Sequence, residues 1–138
     1  MTFHGRTLMP GEGSGLVIAI SPISLWGGLD PVTGLVIDRS HSAVGRSLAG
    51  AVLVMASGRG SSSSASVIAE ALRLGTAPAA IVLSEPDAIL VIGTMVADAL
   101  YHRACPIVML SPDDHAMLAA AESAEVSATT NGASIGAT

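Results

Sequence analysis

At 138 residues, half of them apolar and only 12% charged, the chain has the make-up of one compact domain and not of a disordered segment. A net charge of −5 with no basic cluster excludes nucleic acid as a partner. Apolar stretches are broken by Gly, Pro or charge before ~18 residues, so no membrane span is expected. The first residues lack the basic and apolar blocks of a secretory signal. The single cysteine, Cys105, allows no internal disulfide and fits a reducing, cytoplasmic setting.

Residues 6–8 and Gly15 to Ile20 read as short strands, the second nearly all apolar as in a buried strand. Residues 21–41 carry turn signals in series: Gly27-Gly28, Asp30-Pro31 and Thr33-Gly34. They predict a long irregular loop, and loops of that length in a small domain commonly carry function. Trp26 within it is expected to be a packing anchor. Asp38, Arg39 and His41 are weighed more as solvated surface than as cleft lining.

Ala51 to Met55 reads as a core strand. After it comes Ser57-Gly58-Arg59-Gly60-Ser61-Ser62-Ser63-Ser64, then a helix-forming run to about Leu74. Ser61 or Ser62 is the expected N-cap and Gly75 the C-cap. Ala79 to Leu83 is the next strand. Ser84-Glu85-Pro86-Asp87 has the spacing of a capping box ahead of a helix over 88–100. That helix is apolar on most faces, as in a helix packed on two sides. Cys105 precedes a strand over 107–110 and reads as a small buried residue. Residues 112–121 predict a short helix, and Asn131-Gly132 a hairpin between weak strands. The strand–helix alternation from 51 to 110 predicts an α/β fold with a parallel sheet core and flanking helices. No linker divides the chain, so residues 1–138 form a single domain.

The loop after the first core strand carries the chemistry. Strand, Gly-rich loop and helix in that order gather backbone N–H groups at a helix N-terminus. Roughly half a positive charge resides there, and a carboxylate or phosphate is readily bound. The serines add hydroxyls, one of them a candidate nucleophile or base. The bland alternative is a serine-rich turn that only satisfies the orphan N–H groups. Nucleotide motifs do not fit. The Walker pattern needs a lysine, and the chain has none; the dinucleotide pattern wants Gly or Ala where Ser63 stands. One thiolate cannot hold an iron–sulfur cluster, so any such centre belongs to another chain.

Four blocks stand in order: Ser24-Leu25-Trp26-Gly27-Gly28-Leu29-Asp30-Pro31-Val32-Thr33-Gly34, Asp38-Arg39-Ser40-His41, Ser57-Gly58-Arg59-Gly60-Ser61-Ser62-Ser63, and Gly75-Thr76-Ala77-Pro78-Ala79-Ala80-Ile81-Val82-Leu83. Together they resemble the aconitase X small subunit, or aconitase X swivel domain, from Gly5 to about Leu110. The resemblance implies the swivelling β/β/α fold of aconitase's mobile domain. It implies a hydro-lyase chain of a kind that pairs with, or is fused to, an aconitase X large subunit, here expected as a heterodimer. That partner would hold an iron or iron–sulfur centre, and this chain would hold no metal. Family members act as cis-3-hydroxy-L-proline dehydratases, forming Δ1-pyrroline-2-carboxylate, and as phosphomevalonate dehydratases. The lysine-free, alanine-rich composition points to a GC-rich genome and favours the hydroxyproline reaction.

Aconitases carry Gly-x-Gly-Ser-Ser-Arg in this loop, with the first Ser as base. By that resemblance Ser61 is the catalytic base. Gly58, Arg59, Gly60, Ser62 and Ser63 bind substrate, with Asp30 as a further candidate. Ser63 replaces the aconitase Arg, leaving Arg59 as the loop's cation. A phosphocarrier swivel domain would need a histidine on this loop, and residues 57–64 have none. A non-catalytic module binding a small carboxylate or phosphate is the remaining alternative.

Overall fold

The computed structural model describes all 138 residues. Three short apolar strands, β3 (Val52–Val54), β4 (Ala80–Leu83) and β5 (Ile107–Met109), lie parallel to one another. β2 (Gly11–Ala19) joins them, with Val17 opposite Val52. The other half is antiparallel. β6 (Ser123–Thr129) and β7 (Gly132–Ala137) form a hairpin with Val126 opposite Ile135. β1 (Thr2–Met9) pairs with β7 over its first half and with β5 over its second. β2 likewise pairs with β6 from Gly11 to Leu16 before it reaches β3.

The order β1-β5-β4-β3-β2-β6-β7 closes into a barrel. This corrects the expected parallel sheet with flanking helices, which describes only half of the sheet. The cause lies in β1 and β2, each long enough to serve both halves. β2 crosses between them at glycines. A β-carbon on Gly13 would collide with the Ala79 carbonyl, and one on Gly15 with that of Gly50. β6 and β7 are regular strands and not weak ones. Their Ala, Ser and Gly residues have low strand propensity, and barrel closure overrides it. The two chain ends meet here: the amine of Met1 donates to the Ala137 carbonyl (3.0 Å), and Ala137 N–H donates to that of Met1 (2.8 Å).

Alternate side chains of the parallel strands serve two cores. Val52, Val54, Val82 and Val108 join Phe3, Val126 and Ile135 inside the barrel. Leu53, Ile81, Leu83 and Ile107 face outward, packed with Ile68 and Leu72 of α2 (Ser64–Leu74) and Leu90 of α3 (Ala88–Tyr101). Strands buried on both faces must be apolar throughout, as these are. Gly75 ends α2 in the left-handed conformation expected of a C-cap.

α3 packs on one side and not on two. Leu90, Gly93, Thr94 and Ala97 are buried, while Ile92, Met95, Val96 and Leu100 are exposed. α4 (Pro112–Ala119) sends Leu118 into the barrel core. No helix is long and apolar enough to cross a membrane.

Candidate functional site

The carboxyl ends of β3 and β4 open onto residues 55–63 and 84–87, the end of a parallel sheet where ligands bind. The two exits are laced together. Met55 N–H donates to the Val82 carbonyl (3.2 Å), and Ser84 and Glu85 N–H donate to that of Ala56 (3.0 and 3.1 Å). The His115 ring on α4 reaches the Met55 carbonyl through Nε2 (2.9 Å), a tie beneath the loop that its position in the sequence did not signal. Arg59 N–H donates to the Ile23 carbonyl (3.1 Å), joining the loop to residues 21–24. α1 (Leu25–Gly28) is one distorted turn, held to α2 by Trp26 N–H donating to Ser64 Oγ (3.1 Å). Trp26 itself is 61% exposed, the reverse of the packing anchor expected.

The helix after the loop starts later than expected. Ser64 N–H donates to the Ser61 carbonyl (2.9 Å) and Ala65 N–H to that of Ser62 (3.3 Å), so a turn precedes α2. Ser63, not Ser61 or Ser62, stands at the N-cap, and its side chain makes no capping bond. The result is a cluster of uncommitted groups. The N–H groups of Gly60, Ser61, Ser62 and Ser63 donate to nothing within the chain, and the hydroxyls of Ser61, Ser62 and Ser63 are equally free. Such a cluster at a helix N-terminus suits an anion or a developing alkoxide.

Loop residues divide between two hollows. Ser61 lies with Gly58, Arg59 and Gly60 around a crevice of about 10 Å³, beside Ser64 and Asp87. Ser62 and Ser63 are exposed on the outer turn. On the other side a cleft of about 780 Å³ is bounded by residues 21–24, Asp38, Ser40, His41 and Ser42, with Ser57 and Arg59. Arg59 borders both.

Asp30 is not brought to either hollow. Its Oδ1 accepts from Val32 N–H (2.9 Å) within a turn, and Thr76 Oγ1 donates to the adjoining Pro31 carbonyl (2.6 Å). That turn therefore sits at the far end of α2, about 16 Å of helix from the loop.

Two carboxylates border the hollows. Asp87 caps α3, its Oδ1 accepting from Ile89 N–H (3.0 Å) and Leu90 N–H (3.1 Å). The capping role thus falls to Asp87 and not to Ser84, whose N–H is spent on Ala56. Asp38 lies in the wide cleft. The Ser40 hydroxyl (2.7 Å) and then the Ser40 N–H (3.0 Å) hold its carboxyl below the usual range, with smaller help from His41 and Arg59. His41 has both ring nitrogens engaged: Nδ1 accepts from Ala43 N–H (3.0 Å), and Nε2 lies 2.9 Å from the Ser21 carbonyl. Asp38 and His41, weighed in the sequence more as solvated surface than as cleft lining, line this cleft because the fold sets them against Ser57 and Arg59; Arg39 does not line it.

No group of three or more His, Cys, Asp or Glu side chains stands together to hold a metal ion. Cys105 is fully buried, and burial pushes its thiol up to about 12. The implied iron or iron–sulfur centre therefore finds no ligand set in these residues.

The family model for the aconitase X swivel domain matches residues 2–135. The chain belongs to the aconitase X swivel domain family. The match continues through β6 and into β7, past the point near residue 110 where the motifs end. The crystal structure of Thermococcus kodakaraensis aconitase X (holo-form) shares the swivel fold, with a TM-score of 0.81 at 27% identity over 100% of this chain and 98% of that chain. Cis-3-hydroxy-L-proline dehydratase of Pseudomonas aeruginosa is 48% identical over 106 residues, 76% of this chain and 18% of that protein. The phosphomevalonate dehydratase small subunit of Methanopyrus kandleri is 44% identical over 89 residues, 64% of this chain and 66% of that one. The swivel domain thus spans about a fifth of the dehydratases it matches first.

Proposed function

We propose that this chain is the small, swivel-domain subunit of a cytoplasmic aconitase X-type hydro-lyase, active only with a large subunit. The favoured reaction converts cis-3-hydroxy-L-proline to Δ1-pyrroline-2-carboxylate and water. The observation that carries this reading is the set of free amides and hydroxyls at Gly60 to Ser63, at the carboxyl ends of parallel strands. The family and the similarity to a dehydratase of that name support it.

The chemistry follows from the loop. Ser61 Oγ, as alkoxide, takes the proton from the carbon bearing the carboxylate. The C–O bond at C3 breaks, and the departing hydroxide takes that proton back from Ser61 Oγ to leave as water, restoring the alkoxide. The resulting enamine shifts its N–H proton to C3 and becomes Δ1-pyrroline-2-carboxylate. A serine is a base only where its alkoxide is stabilised, and the N–H groups of the loop with the Arg59 guanidinium supply that stabilisation. Arg59 and the amides of Gly58 and Gly60 also take the substrate carboxylate, with Ser62 and Ser63 at the outer rim. The iron or iron–sulfur centre implied by the resemblance is assigned to the large subunit.

The phosphomevalonate reaction is the second reading. One observation favours it: the relative with that name is itself a small subunit of which this chain covers 66%.

The test is turnover by the complex with an aconitase X large subunit, assayed with cis-3-hydroxy-L-proline and with phosphomevalonate. Activity is expected with the former and none from this chain alone. Ser61→Ala is expected to lower kcat by ~10²-fold or more, the share of a general base. Unchanged kcat in that variant would remove the base from Ser61. Turnover of phosphomevalonate alone would select the second reading.

A further inference from the structure

The cleft beside the loop holds one cation and one anion. Arg59 and Asp38 both border it, yet they form no ion pair; the chain's ion pair is Arg73 with Glu70. Asp38 Oδ1 is committed to the N–H and hydroxyl of Ser40, which fixes the carboxylate's orientation and leaves Oδ2 without a partner. The His41 ring is tied back to the chain, with Nδ1 3.0 Å from Ala43 N and Nε2 2.9 Å from both the carbonyl and the hydroxyl of Ser21. The remaining polar groups are serines. The cleft therefore presents a guanidinium and a fixed carboxylate on one surface, neither satisfied by the other. A ligand that satisfies both carries opposite charges on neighbouring atoms.

We propose that Asp38 and Arg59 form a receptor for a zwitterionic amino or imino acid. Arg59 takes the carboxylate, and Asp38 Oδ2 accepts an N–H from the ammonium. This rests on the hydro-lyase reading for the site's use, and it assigns to Asp38 the choice of substrate. A ring with a secondary ammonium beside its carboxylate fits both partners. A phosphorylated carboxylate such as phosphomevalonate brings further negative charge and no ammonium toward Asp38, and is disfavoured by it. The lowered pKa of Asp38 keeps this carboxylate ionised through the neutral range.

The experiment uses the assembled complex and two competitive probes of the same ring size. L-Proline is zwitterionic, and cyclopentanecarboxylate lacks the nitrogen. Wild type is expected to bind L-proline about tenfold or more tightly than cyclopentanecarboxylate, the worth of one charge-assisted hydrogen bond. Asp38→Asn keeps an oxygen for the Ser40 turn and removes the charge. It should weaken L-proline about tenfold, raise KM for cis-3-hydroxy-L-proline alike, and leave cyclopentanecarboxylate unchanged or tighter. Arg59→Gln should weaken both probes.

Equal L-proline affinity in Asp38→Asn and wild type overturns the proposal. So does equal weakening of the two probes, which marks a structural turn only. If the wild-type complex fails to dehydrate hydroxyproline but binds L-proline in an Asp38-dependent way, the reaction reading falls and the receptor stands.

Discussion

The carboxylate of Asp87 lies so close to Gly58 that a β-carbon on Gly58 would overlap its Oδ2. The helix cap of α3 thus sets the path of the loop that carries Ser61. Gly58→Ala must push the loop or the cap aside. It is expected to lower turnover of the complex at least tenfold while the barrel stays folded. Asp87→Ala frees that space but loses a cap worth about 1 kcal/mol. In a double-mutant cycle read by thermal unfolding, the two changes should couple and not add.

Ser61 and Ser64 are chemically alike and structurally opposite. Ser61 Oγ bonds nothing in the chain, so Ser61→Ala should change stability by no more than about 0.5 kcal/mol, as for surface sites. Ser64 is buried and its hydroxyl accepts the Trp26 N–H. Ser64→Ala orphans that donor and should cost about 1–3 kcal/mol. Urea unfolding of both variants checks the contrast, and equal losses would contradict it.

Ile135 is fully buried in the barrel, and Leu100 is 65% exposed on α3. Ile135→Ala should cost about 2–5 kcal/mol through lost transfer energy and a cavity. Leu100→Ser should cost about 0.5 kcal/mol or less. The difference in denaturation midpoint measures how far stability resides in barrel closure.

Cys105 links stability to alkaline pH. Its thiol is raised from 9.0 to about 12 in the folded chain by burial. Between those values the unfolded chain loses a proton that the folded chain keeps. Its contribution is thus fully present below pH 9 and is lost as pH rises toward 12, at up to about 1.4 kcal/mol per unit. Thermal unfolding from pH 8 to 10.5 should show a steepening fall that Cys105→Ala lacks. The native thiol should resist iodoacetamide at pH 8 and react after unfolding.

Much of the parallel half was legible because β3, β4 and β5 are short, wholly apolar runs bounded by turn residues. Gly75 likewise announced the end of α2. The antiparallel half was hidden in Ser123 to Ala137, where Ala, Ser and Gly carry little propensity and pairing with β1 and β2 supplies the order. Closure itself was illegible, since it depends on β2 crossing at Gly13 and Gly15 against backbone far away in sequence. The Gly-Ser loop was plain from residue order. The two hollows were not, because Asp87, residues 38–42 and residues 21–24 reach the loop only through tertiary contacts. Asp30 stood in a matching block yet lies at the wrong end of α2.

The hydrogen bonds between Met1 and Ala137 have a consequence for how such a domain can travel between genes. Both ends leave the barrel at one point, so a second polypeptide joined to either end starts from the same place on its surface. A fused and a split arrangement then demand no different docking geometry. A circular permutant with Met1 and Thr138 bridged by a short glycine linker, and opened between Thr130 and Asn131, should keep every strand pair and the loop at Ser61.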